Sequence, residues 1–369
     1  MAELDVLRKL MRKDPRPNLD LESLKTELTD LDLSRVSFTA LPREVGLLQG
    51  LQTLDLQQSS LYTLTHSLSK LTNLRVLNLK KCNQLNAIPA AIGKLTNLRV
   101  LNLEGCRLLN AIPDAIRELT LLESLCPTYS NISSLPSTIV ALQSLHTLSL
   151  KGCSRFHQLP TNLGEMKRLT AINVTDTSIQ TLPDSVCDLP ALLILKAMET
   201  NLCEFPVQMQ HMTSLQTLHI TAFKEAHSGK EVLFENVCEV TSLTTLKLRG
   251  GVQPFRGTTL AQKGPYIPDE DMLGPEIEKL TALTKLDLED SYYNLLPAEI
   301  RKLTNLKTLI LKGFKEFDFI SLLPDEIKLL TALETLDIRD CYPLVPDTKD
   351  DPLRALRGSK VTIVENKLP

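Results

Sequence analysis

Residues 74–97 read LRVLNLKKCNQLNAIPAAIGKLTN, and residues 98–121 follow at once as LRVLNLEGCRLLNAIPDAIRELTL. Two adjacent near copies of one short unit narrow the possible folds more than any other feature of the chain. A unit this small cannot bury its own apolar residues, so it has to use the next copy as the other half of its core. The template LxxLxLxx then recurs from Leu28, Leu51, Leu74, Leu98, Leu122, Leu145, Leu169, Leu192, Leu215, Leu243, Leu283, Leu306 and Leu333. Most steps are 23 or 24 residues, so the 369 residues read as one stacked array rather than two or three globular domains.

Within the Leu74 unit, Leu77 and Leu79 alternate with Val76, Asn78 and Lys80, which predicts a short strand with leucines inward and the other side chains on an open sheet face. Cys82 opens a turn, Leu85 and Ile88 return inward, and Pro89 is placed in a first helical turn, where its missing N–H costs nothing. Ile92 and Leu95 give the apolar stripe of a short outer helix. The core must be aliphatic, because 43% of residues are hydrophobic, only 4% are aromatic and there is no Trp.

The period and the LPxxIgxLtxL phrasing resemble the leucine-rich repeat superfamily. Two intracellular subgroups are most similar: Ras-group repeats and the repeat domains of plant TIR/nucleotide-binding immune receptors. Phrases such as LKKCNQL, LEGCRLL and LKGCSRF resemble the LxLxxC variant of the second subgroup. The resemblance implies an α/β solenoid, a curved leucine-rich-repeat array with a parallel concave sheet and short convex helical or 3-10 segments. It also implies non-catalytic protein recognition, as scaffold, adaptor or receptor-like module, in signalling or immunity. The expected organisation is an N-terminal helical cap at 1–27, about thirteen repeats over 28–346, and a C-terminal cap at 347–369. The first cap contains an amphipathic segment with Leu4, Leu7, Leu10 and Met11 at helical spacing. The last holds an edge strand, Val361-Thr362-Ile363-Val364.

With 41 basic and 44 acidic residues, net charge −3, the chain lacks the electrostatic footprint of a nucleic-acid binder. The first residues, MAELDVLRKLMRKD, hold no uninterrupted apolar core of a signal peptide, and no run approaches the ~20 apolar residues of a spanning helix. The expected setting is therefore intracellular, cytoplasmic, and without a membrane span.

Cys82, Cys106, Cys153 and Cys341 all stand ninth in their units, where the common pattern has an Asn that serves the turn. Ser59, Thr177, Thr200 and Ser291 hold the same place. A structural donor role is expected of all of them. Cys126, Cys187, Cys203 and Cys238 lack the spacing of metal ligands. None of His66, His146, His157, His211, His219 and His227 falls in a catalytic motif, and Gly250-Gly251 and Gly257 begin no phosphate-binding loop. No cofactor, metal or catalytic residue is expected. Arg35-Val36-Ser37-Phe38 matches the Arg-Val-x-Phe pattern of protein phosphatase 1 docking, but Val36 and Phe38 are expected to face the core.

The array breaks its period at 28 residues after Leu215, 40 after Leu243 and 27 after Leu306. Insertions at 223–234, 250–274 and 313–321 carry Phe223, Phe234, Phe255, Tyr266, Phe314, Phe317 and Phe319. In a chain so poor in aromatics, such a concentration points to an interface. On the sheet face, Lys196, Lys247 and Arg249 form a basic band flanked by Asp30, Asp32 and Asp55 on one side and Asp287, Glu289 and Asp337 on the other. The expected protein-binding residues are Lys196, His219, Lys247, Arg249, Phe255, Tyr266, Phe314 and Phe317. A structural subunit of a large assembly, and a secreted effector binding a host protein, are the alternatives. Pro127 stands where an inward leucine belongs, so a local distortion is expected at residues 126–129.

Overall fold

The computed structural model describes residues 21–202, 205–223, 234–251, 273–291, 296–313, 323–341, 353–357 and 359–365. The chain divides into two compact units, 1–179 with 188–192, and 180–187 with 193–369.

In the first unit, helix α1 (Leu21–Glu27) precedes strands β1 (Asp30–Asp32), β2 (Thr53–Asp55), β3 (Val76–Asn78), β4 (Val100–Asn102), β5 (Ser124–Cys126), β6 (Thr147–Ser149) and β7 (Ala171–Asn173). Each pairs in parallel with the next, in chain order. The second unit holds β8 (Ile194–Ala197), β9 (Thr217–Phe223), α2 (Phe234–Cys238), β10 (Thr245–Gly251), β11 (Lys285–Asp287), β12 (Thr308–Ile310), β13 (Thr335–Asp337), α3 (Arg354–Arg357) and β14 (Thr362–Val364). Its strands are again parallel and sequential. This is the parallel α/β solenoid expected from the repeat, and in all thirteen units the strand starts at the third residue.

The opposite segments are 3-10 turns, for example Ala90–Lys94 and Asp114–Glu118. Three residues per turn suits apolar residues spaced by three. Ile92 and Leu95 are fully buried accordingly. Pro89 sits one place earlier than expected: it is the N-cap, extended at φ −70° and ψ 153°, and its carbonyl accepts the Ile92 N–H at 3.0 Å. The proline thus fixes the entry to the turn and loses no bond.

Three features recur through the layers. Asn or Asp at the fifth position accepts the backbone N–H two residues on, as Asn78 does from Lys80 at 3.1 Å and Asp55 from Gln57 at 2.8 Å. That bond ends the strand after three residues and turns the chain. The eighth residue then takes the left-handed conformation: Gly105, Gly152 and Gly313 do so freely, and Arg35, Gln58, Lys81, Tyr129, Asp176, Glu199, Asp290 and Asp340 do so with a side chain. Its N–H pairs with the following layer, as in Lys81 to the Glu104 carbonyl at 2.6 Å.

The ninth residue supplies the third feature. The thiols of Cys82, Cys106, Cys153 and Cys341 each donate at 3.1 Å to a carbonyl one layer back, those of Leu56, Leu79, Pro127 and Leu311. Ser291 does the same to Leu248 at 2.9 Å. Thr177 and Thr200 instead bond within their own unit, to Val174 and Ala197. Burial raises the pKa of the Cys82 and Cys153 thiols and pushes that of Cys106 up to about 12, so each keeps the proton it donates.

Pro127 is buried in the leucine's place. Its effect is confined to one rung: Leu103 and Leu150 donate to the next layer's Cys126 and Asn173, but Pro127 has no N–H to give, and β5–β6 keeps two pairs where its neighbours have three. Register is unchanged on both sides. Val36 and Phe38, expected in the core, are half-exposed instead. The chain turns at Ser34-Arg35 straight after β1, with Arg35 at φ +62°, so these side chains follow the turn and leave the leucine row.

Candidate functional site

The broken period lies in the second unit, and there the layer rule changes. Lys196, His219 and Lys247 occupy the fifth position in three successive layers and are Cα partners: Lys196 with His219, His219 with Lys247, and Lys247 with Asp287. The two lysine ammonium groups cannot accept the backbone N–H that Asn78 or Asp55 accepts, and none of the three is an Asn or Asp that would close the turn. Their strands run to four, seven and seven residues. Cys126, Ser149 and Ile310 also replace the Asn or Asp and keep three-residue strands. The missing turn bond therefore permits the extension without forcing it.

Strands β9 and β10 stay paired over all seven residues, from Thr217–Thr245 to Phe223–Gly251. Ala222 and Gly250, the eighth residues of their units, remain in the strand instead of turning left-handed. A consequence appears one layer back. Glu199 cannot give its N–H to the usual carbonyl and donates instead to the Thr221 hydroxyl at 2.9 Å. Thr221 is fully buried and in turn faces the Met198 sulfur at 3.8 Å. Sequence reasoning missed Thr221; the signal was a hydroxyl at the seventh position in a unit without a fifth-position Asn or Asp.

The basic band is largely compensated by its own neighbours. The Lys247 Nζ lies 3.2 Å from both Asp287 Oδ2 and Glu289 Oε2, and Lys312 Nζ is 2.6 Å from Glu289 Oε1. Arg249 reaches Glu199 at 2.5 Å and Asp290 at 3.6 Å. The Lys312 ammonium, then Lys247, holds the Glu289 carboxyl below its ordinary pKa, and the Arg339 guanidinium does the same for Asp337. Asp287 and Asp337 also accept the N–H groups of Glu289 and Arg339, so these acidic flanks are turn-forming groups as much as surface charge. The same holds for Asp32 and Asp55 in the first unit.

His219 lies between Lys196 and Lys247. Desolvation lowers its pKa, and the two ammonium groups lower it further, so the imidazole is neutral at pH 7. The open face here is therefore a row of one neutral ring and two lysines bordered by paired acids. Of the remaining expected residues, Phe255, Tyr266, Phe314 and Phe317 lie outside the described residues, as do most of the three insertions and Phe319. Among the described residues no group of His, Cys, Asp or Glu is arranged to hold a metal ion, and no helix is long and apolar enough to cross a membrane.

A family described as "Leucine-rich repeat region" matches residues 59–157 and 148–253, together more than half of the chain. A disease resistance-like protein of Arabidopsis thaliana is 41% identical over 64 residues, which are 17% of this chain and 5% of that protein, so the chain matches only a twentieth of its relative's length. Two solved structures share the fold. A leucine-rich-repeat protein of Leptospira interrogans superposes with a TM-score of 0.63 at 24% identity, over 97% of this chain and 98% of its own. An internalin of Listeria monocytogenes does so with a TM-score of 0.67 at 18% identity, over 100% and 95%.

Proposed function

The chain belongs to the leucine-rich repeat family, and from that premise we propose that it is a non-catalytic recognition module whose main protein-binding face is the open sheet surface of β8–β11. The observation that carries this reading is the Lys196–His219–Lys247 row, in register on the strands that abandon the layer rule. Every other strand among the described residues ends after three or four residues. The two long ones lead into the insertions that hold Phe223, Phe255 and Tyr266, and Phe314 and Phe317 follow β12 in the third insertion; these residues would complete the face with aromatic anchors.

Because Lys247 and Arg249 are already paired, a partner gains from them by exchanging one set of acids for another, which favours selectivity over raw affinity. Among the described residues Lys196 has no ion-pair partner, so an acidic group of a partner can meet it directly. We place the protein in the cytoplasm and read it as an adaptor or receptor-like component of signalling. An immune role draws support from the disease resistance-like relative. We also propose that 1–27 and 347–369 cap the array of 28–346; α1 at one end and the buried Leu353 and Leu356 at the other are in keeping with this.

The test is affinity capture from the source cell with the native chain and with a Lys196→Glu, Lys247→Glu, Arg249→Glu variant, its fold verified by circular dichroism. Loss of the same captured protein from the variant, and from a chain lacking 252–272, supports the site. Unchanged capture by both rejects it. Capture that depends instead on exposed residues of the 3-10 side would favour the subunit of a large assembly.

A further inference from the structure

A second region of the chain, in the first unit, departs from an ordinary solvated surface on the rim formed where the strands turn. A groove of about 640 Å³ crosses four layers there, lined by Lys81, Asn83, Glu104, Arg107, Tyr129 and Asn131 among others. Its floor follows from the eighth-position row, which runs Lys81, Gly105, Tyr129, Gly152. Glycine and a large side chain alternate, all with positive φ. A Cβ on Gly152 would lie 2.2 Å from the Tyr129 ring, and one on Gly105 would lie 3.1 Å from the Lys81 Cγ. Each glycine thus clears the space over which its neighbour's side chain lies.

The charges around this groove are not compensated as they are on the second unit. Glu104 is the one carboxylate in the lining, and Lys80 takes it at 2.8 Å. Lys81 and Arg107 are exposed and, among the described residues, have no acidic partner within ion-pair distance. Lys151 stands 5.8 Å over the Tyr129 ring, adding a third cation and fixing the ring's orientation. Among the described residues the side-chain amides of Asn83 and Asn131 have no hydrogen-bond partner.

We infer that this groove binds an extended acidic segment of a partner protein. Four layers at ~4.8 Å spacing span about 14 Å, the length of roughly four residues of extended chain at ~3.3 Å each. Acidic side chains would meet Lys81, Arg107 and Lys151, the two free asparagine amides would pair with peptide N–H and C=O groups, and Tyr129 would offer its uncovered surface to an apolar side chain. A compact anion would engage the cations but leave the asparagines and the tyrosine unused. The inference is independent of the face proposed on β8–β11.

The experiment is fluorescence anisotropy with the full chain and a fluorescein-labelled hexaglutamate peptide. Saturable binding is expected, absent for hexaglutamine and weakened about tenfold by Arg107→Glu, with a further loss when Lys81→Glu is added. Tyr129→Asn, which suits the left-handed backbone, should weaken a glutamate peptide bearing a central Phe more than hexaglutamate itself. Lys247→Glu with Arg249→Glu should change nothing. Absence of saturable binding, equal binding of hexaglutamine, or indifference to Arg107→Glu in a folded chain overturns the proposal. So does complete displacement by inorganic phosphate at the same charge concentration, which would reveal a simple anion site.

Discussion

Raising the pH should loosen this protein through thiols that never become nucleophiles. Cys106 is fully buried, and its Sγ donates to the Leu79 carbonyl at 3.1 Å, a bond that exists only while the sulfur is protonated. Burial, aided by the neighbouring Cys82, moves its pKa from an ordinary 9.0 to about 12. The group is an acid whose folded pKa lies above the unfolded one, so the unfolded chain releases its proton first. The associated stability is complete below pH 9 and declines as the pH climbs from 9 toward 12. At ~1.4 kcal/mol per pH unit, about 2 kcal/mol is lost by pH 10.5 through this residue alone. Replacing Cys106 by Ser keeps a donor but removes the polarizable sulfur, at a cost of roughly 1 kcal/mol at pH 7. The serine does not titrate, so the deficit should shrink as pH rises and reverse near pH 10. Urea unfolding of both chains, followed by far-UV circular dichroism from pH 7 to 10.5, measures this directly; lysine and tyrosine titration cancels in the difference. A deficit that stays constant across that range would refute the account.

Thr221→Val should cost roughly 1–2 kcal/mol, because it leaves the Glu199 N–H facing a methyl group, and exchange of that amide should speed up in hydrogen-exchange measurements. Gly152→Ala should destabilise by about 1–2 kcal/mol from its positive φ alone, and should shift the Tyr129 ring resonances by NMR as the Cβ displaces the ring. Glu289→Gln should flatten the acid limb of the stability curve: the Glu289 folded pKa lies below 4.5, so its contribution is present above that value and disappears as the pH falls through the lowered one. Iodoacetamide at pH 7.5 should leave Cys82, Cys106, Cys153 and Cys238 unlabelled in the folded chain, since burial raises the pKa of all four; rapid selective labelling of one would reopen an enzymatic reading.

The strand positions were readable from the sequence because period-two leucines leave no freedom: a one-residue slip at Leu77-Leu79 would expose both. The ninth-position ladder was readable in kind, since four thiols at one register needed a common partner, but the direction of the bonds was not, and Thr177 and Thr200 turned out to serve their own units. Val36 and Phe38 were misplaced because the turn at Arg35 depends on a backbone conformation that carries no residue signature when the residue is not glycine. The same blindness hid the groove. Lys81 and Tyr129 stand at positions that sequence spacing marks only as turn, and the clearance over Gly105 and Gly152 comes from stacking. On the second unit the residues of the row were legible, yet their mutual compensation was not, because Lys247 meets Asp287 and Glu289 from layers 40 residues along the chain.

Eight non-glycine residues hold the left-handed eighth position, where glycine would be conformationally cheaper. A site that keeps a side chain at such a place is presenting it for a reason other than folding. Where these side chains meet another group they do so at the surface, as Arg35 does with Gln58 and as Glu199 and Asp290 do with Arg249, so they can be changed while the leucines beneath stay as they are. Down the length of a stack, such residues amount to a line of editable letters on an unchanging page, through which a lineage of these proteins can alter what it recognises without having to learn to fold again.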